Sequence, residues 1–144
     1  MIPLGTRVMG GDHSAALELV LQRAMRSTDK LSDCTRVKLF TGGGFFAQVM
    51  QMLPPGFIDG QHCAPMFAPE QFGAQAHTYG NEGFQIRVCC TGNMGLQLAI
   101  DVLEQLQWER PRFDHRFTIE HFGLSNPEQV QKLAALGAIV SANI

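Results

Sequence analysis

Four short apolar runs, separated by longer stretches of helical periodicity, constrain this chain more tightly than any other feature. The runs are Val37–Phe40, Ile86–Cys90, Phe117–Phe122 and Ala138–Ile144, all rich in β-forming residues. Between the second and third, Leu96, Ala99, Ile100, Leu103 and Leu106 recur at steps of three and four, which predicts an amphipathic helix over 94–106 with Asn93 as its N-cap. After the third run, Ser125-Asn126-Pro127-Glu128 opens a helix with a capping side chain, an early proline and an acid in the first turn, and Gly137 closes it. Pro69-Glu70 opens another that ends near Gly80 or Gly83, and Asp12 caps one through Met25. Strict alternation, with strands too apolar to face water, predicts an α/β fold with a parallel sheet covered by helices.

Two architectures satisfy that pattern: an open doubly wound sheet, or part of a (β/α)8 barrel. A whole barrel takes about 250 residues. The 144 residues here, with four consecutive β/α units in a single domain over 1–144, would make about half of one. The long segment from Thr41 to Ala68, punctuated by Gly42-Gly43-Gly44 and Pro54-Pro55-Gly56, follows the carboxyl end of a strand, where both architectures bind ligands.

Charge and hydropathy exclude several classes of partner. A formal net charge of −2, with Lys and Arg scattered, provides no basic field for nucleic acid. No apolar run approaches the roughly 20 residues that span a bilayer. Cys34, Cys63, Cys89 and Cys90 form no CxxC pair, so reduced thiols in a cytoplasmic setting are expected.

Side-chain parity then selects a face. Lys38 and Phe40 share one side of the first strand, Arg87 and Cys89 one side of the second, and Phe117, Ile119 and His121 one side of the third. The expected shared face collects Lys38, Arg87, Cys89 and His121, with Glu120 turned away as a structural residue. Imidazole and thiolate are good zinc ligands, although a strand cysteine is ordinarily a small hydrophobe and a strand histidine ordinarily satisfies a core hydrogen bond. Lys38 in an apolar strand is costly to bury without a partner, unless its stem snorkels to the strand end. Phe45 and Phe46 are expected to line or cover a substrate pocket. His13, His62, His77 and His115 read as solvated, and Met50, Met52 and Met66 as packing.

Several blocks in order extend this reading. They are Val37-Lys38-Leu39-Phe40 with Gly-Gly-Phe-Phe behind it, Pro55-Gly56-Phe57-Ile58-Asp59-Gly60, Ile86 to Asn93, Phe113-Asp114-His115-Arg116-Phe117-Thr118-Ile119-Glu120-His121-Phe122, and Leu136 to Asn143. From about Thr35 to Ile144 the chain resembles the amidohydrolase-3 (YtcJ-like) branch of the metal-dependent amidohydrolase superfamily. The resemblance implies a (β/α)8 barrel holding one or two divalent metals, usually zinc, that activate water to hydrolyse carbon–nitrogen bonds other than peptide bonds in small amide-type substrates. Carried over by position, His121 is a metal-binding histidine, Lys38 the lysine that bridges two metals when carboxylated, and Cys89 stands where another histidine ligand would be.

The chain departs from that family around the same strand ends. Arg87-Val88-Cys89-Cys90-Thr91-Gly92-Asn93 replaces approximately His-Val-His-x-x-Gly-Asp, and Gly42 stands where relatives often carry Asp. The His-x-His pair of the first barrel strand and the Asp of the last are not recognisable, so the isolated chain is expected to be inactive and to need the remainder of the barrel. The alternative reading is a non-catalytic barrel relative binding an anionic small molecule through Arg87 and Lys38.

Overall fold

The computed structural model describes residue 18 and residues 36–61, 63 and 67–142. Apart from Glu18, the helix predicted from Asp12 lies outside them, as do His13, Cys34, His62, Met66 and the last two residues of the fourth run. The described elements run β1 (Arg36–Phe40), α1 (Pro69–Asn81), β2 (Gln85–Cys90), α2 (Asn93–Glu109), β3 (Thr118–His121), α3 (Pro127–Ala135) and β4 (Ile139–Ala142). All four predicted strands and the three predicted helices within this range are present.

The strands form one parallel sheet in the order β1-β2-β3-β4, each paired with its sequence neighbour. The order never reverses, so the described part has no switch point of the doubly wound kind. Register places Leu39, Val88, Ile119 and Val140 in one row across the sheet. Against that face pack Phe72, Ala76 and Tyr79 of α1, Leu96, Ala99, Ile100 and Leu103 of α2, and Leu133 of α3, in one core cluster. Burying each such large apolar side chain stabilises the fold by roughly 2 kcal/mol. The described helices thus cover a single face of the sheet.

The start of α2 differs from the sequence expectation. Gly92, in extended conformation, occupies the cap position, and Asn93 lies inside the first turn. Instead of capping, the Asn93 side-chain oxygen accepts from the Leu53 amide at 2.8 Å, while Gln51 O accepts from Met94 N at 3.1 Å. The long loop after β1 therefore closes over the helix start and takes up its free amide. Gly92 permits this approach: a Cβ there would stand 2.0 Å from Gln51 O. The same packing occupies the glycine run, since Gly43 N donates to Val49 O at 2.8 Å and Thr91 Oγ1 to Gly43 O at 2.6 Å.

The start of α3 is as the sequence predicts. Asn126 Oδ1 accepts from Gln129 N at 2.9 Å and Gln129 Oε1 accepts from Asn126 N at 3.2 Å, a reciprocal capping box. Gly137 follows the helix with φ of 69°, the left-handed geometry that favours glycine. No helix among the described residues is long and apolar enough to cross a membrane.

Candidate functional site

Register decides which side chains share the sheet face left uncovered by the described helices. One row across it is Lys38, Arg87, Thr118 and Ile139, and the next is Phe40, Cys89, Glu120 and Ser141. Glu120, not His121, therefore stands beside Cys89, contrary to the parity expectation. His121 is level with Cys90 and Ala142. It also has φ of 74°, and Phe122 has 48°, so the chain leaves the strand pleat at this point and alternation stops carrying information. The expectation matched the wrong parity of the third strand to this face: Ile119 is level with Val88 and packs with Phe117 in the helix-covered core, which leaves Glu120 on the uncovered side.

Glu120 organises this face. Its carboxylate forms ion pairs with Lys38 Nζ and, at 2.9 Å, with Arg87 Nε. The contact to Arg87 is coulombic rather than an aligned hydrogen bond, because the buried Nε–H finds no acceptor in good geometry. Glu120 is the least exposed of the three, at 14% of its side chain, against 39% for Lys38 and 36% for Arg87. The Lys38 ammonium also lies 5.8 Å from the Phe40 ring centroid. The awkward lysine of the sequence is thus paired, by the carboxylate that parity had turned away.

The two adjacent cysteines diverge. Cys90 is buried on the helix-covered face, where desolvation pushes its thiol up to about 11 and holds it protonated. Cys89 is half-buried on the charged face. Phe45 and Phe46, expected over a pocket, form a short 3-10 turn after β1 and stand exposed, edge to face on each other at 5.4 Å.

At the opposite end of the sheet, Phe84, Leu103, Leu106, Arg112 and Phe117 line a cavity of about 30 Å³, room for one water. Arg110 and Arg112 donate there to the carbonyls of Asn81, Gly80 and Gly83, which end α1 and its following turn. His115, expected in solvent, is buried instead. Its Nδ1 accepts from Phe117 N at 3.0 Å, which leaves Nε2–H to donate to Leu136 O at 2.9 Å. His77 pairs with Glu109 at 3.2 Å. These histidines hold the fold together at the end away from the charged face.

The donor set can be tested against a metal ion. Among the described residues no group of three His, Cys, Asp or Glu side chains is placed to hold one. Lys38 and Arg87 put two cations where an ion would sit, and they already share the Glu120 carboxylate. The residues present do not fit a metal.

No family model matches the chain, and no curated protein matches it. Two solved structures do, each described as an uncharacterised metal-dependent hydrolase. The one from Pyrococcus horikoshii OT3 matches with a TM-score of 0.67 at 18% identity, and the one from Pyrococcus furiosus with 0.68 at 17%. Both matches cover 87% of this chain and 26% of the other, so the chain spans about a quarter of the length of either protein and is similar to it in fold.

Proposed function

We propose that these four β/α units belong to a barrel hydrolase acting on carbon–nitrogen bonds other than peptide bonds, with the amidohydrolase-3 branch as the finer assignment. The observation that supports this most is the winding of the sheet. Strands that advance in one direction, with all described helices on one face, are what the wall of a closed barrel requires. Two metal-dependent hydrolases share that arrangement over 87% of the chain. The ordered sequence blocks support the branch.

Because register sets His121 level with Cys90 and not with Cys89, and Lys38 is paired with Glu120, no catalytic step is assigned to a metal within this segment. The divalent ion of the complete enzyme, zinc in the first instance, draws its ligands in this reading from the remaining β/α units. Phe45 and Phe46, exposed at the carboxyl end of β1, meet the apolar part of a small amide-type substrate. The chain by itself is inactive, and the described cysteines, none of them in a disulfide, suit a cytoplasmic setting.

Metal content and hydrolysis of N-acyl amino acids, ureas and cyclic amides test the proposal, measured on this chain and on the chain extended by its flanking reading frame. The chain alone should retain no zinc after dialysis and turn over nothing. The extended protein should carry metal and hydrolyse at least one class. An extended protein that stays metal-free and inert would sink the reading.

A further inference from the structure

We propose that the uncovered face around Arg87 binds the carboxylate of a small molecule. This goes beyond the hydrolase reading and does not depend on it.

Three observations carry the proposal. Two cations share one carboxylate, which leaves a positive charge in excess on the face. The closest approach of Glu120 to Arg87 is at Nε, and no hydrogen bond from either terminal guanidinium nitrogen is found among the described residues, on a side chain 36% exposed. Those two nitrogens present parallel N–H donors at the spacing of a carboxylate's oxygens, the geometry of bidentate pairing. The ion pair with Glu120 already holds the guanidinium on this face, so part of its side-chain entropy is lost before a ligand docks.

The neighbours define the rest of the ligand. Lys38 stands in register with Arg87 and brings the second positive charge, while Phe40, one row on, offers an apolar surface for a short carbon body. Thr118, also level with Arg87, spends its hydroxyl hydrogen on Arg116 O and adds no competing donor. A carboxylate suits this site better than a metal ion, since Lys38 and Arg87 repel the ion and attract the anion.

Cys89 makes the proposal measurable, because it lies on the same face two residues from Arg87. The full chain is alkylated at low ionic strength with iodoacetate, which carries a carboxylate, or with iodoacetamide, which is neutral, and labelling is resolved by residue in the mass spectrometer. In each reaction the thiolate displaces iodide and the thiol proton goes to solvent. Recruitment of the anion should raise the iodoacetate-to-iodoacetamide rate ratio at Cys89 about tenfold over that at Cys63 in the loop. Propionate should compete with iodoacetate at Cys89 and leave Cys63 unaffected. Arg87→Gln should return the ratio to the Cys63 value, and Arg87→Lys, which keeps the charge without the fork, should lower it.

A ratio at Cys89 no higher than at Cys63 would overturn the proposal, as would failure of propionate to compete. Stronger competition by inorganic phosphate than by propionate would overturn the assignment to carboxylates. The competition is read on the unaltered chain, so the test remains decisive even if an Arg87 variant fails to fold.

Discussion

The Lys38 ammonium on β1 reaches over β2 to the Glu120 carboxylate on β3, joining two strands that share no backbone hydrogen bond. Arg87 stands between them and touches the same carboxylate. Replacing Glu120 by Gln leaves two cations facing each other without their counter-charge. Because both cations are more than a third exposed, solvent screens the pairs, and the expected loss is about 1 kcal/mol at low salt. The loss should shrink at high salt. Urea unfolding followed by circular dichroism measures it, and a Glu120→Gln chain as stable as the parent at low salt would mean that the triad contributes nothing to stability.

Gly92→Ala should be far more damaging than Gly44→Ala. A Cβ at Gly92 collides with the Gln51 carbonyl, backbone that cannot swing aside, whereas a Cβ at Gly44 meets nothing within 4 Å. The expected costs are about 3 kcal/mol for the first and within about 0.5 kcal/mol for the second. Thermal melts of the pair decide it, and equal melting temperatures would contradict the described closure of the loop on α2.

Alkaline stability should report on Cys90. Burial lifts its thiol from an ordinary 9.0 to about 11 in the folded chain. Below about pH 9 both states keep the proton and stability is unaffected. As pH rises from 9 towards 11 the unfolded chain ionises first, so stability falls, by as much as roughly 3 kcal/mol. Cys90→Ala should flatten that slope while lowering stability at neutral pH through lost packing. An unchanged slope between pH 8 and 11 in the variant would place the alkaline transition elsewhere.

Tyr79→Phe should stabilise the protein. The Tyr79 hydroxyl is buried without a hydrogen-bond partner among the described residues, and its desolvation raises the pKa of the phenol. Deleting an unsatisfied hydroxyl while keeping the ring against Phe84, 5.7 Å away between centroids, removes a penalty of about 1 kcal/mol. Chemical denaturation checks this, and a loss of stability on substitution would mean that the hydroxyl is satisfied in solution.

The alternation of strands and helices was legible in the sequence because it depends on local rules. Apolar residues three and four apart mark α2, Asn126-Pro127 marks the start of α3, and Gly137 marks its end, each acting within one or two turns of chain. The same rules misplace Asn93 as a cap. Its partner, the Leu53 amide, is 40 residues away, and nothing near Asn93 announces that contact. His115 escapes them for the same reason: one of its two backbone partners, Leu136, lies 21 residues on.

For the charged face the sequence by itself determined which residues sit on strands and the parity of Lys38, Arg87 and Cys89, because pleating alternates strictly along a regular strand. Only the tertiary structure decided what meets them. Register between β2 and β3 brought Glu120 to Cys89 and set His121 level with Cys90 instead. Strand pairing is set by packing across the whole sheet, whereas parity is set within one strand, and that difference turned an expected row of metal ligands into a salt-bridged pair of cations.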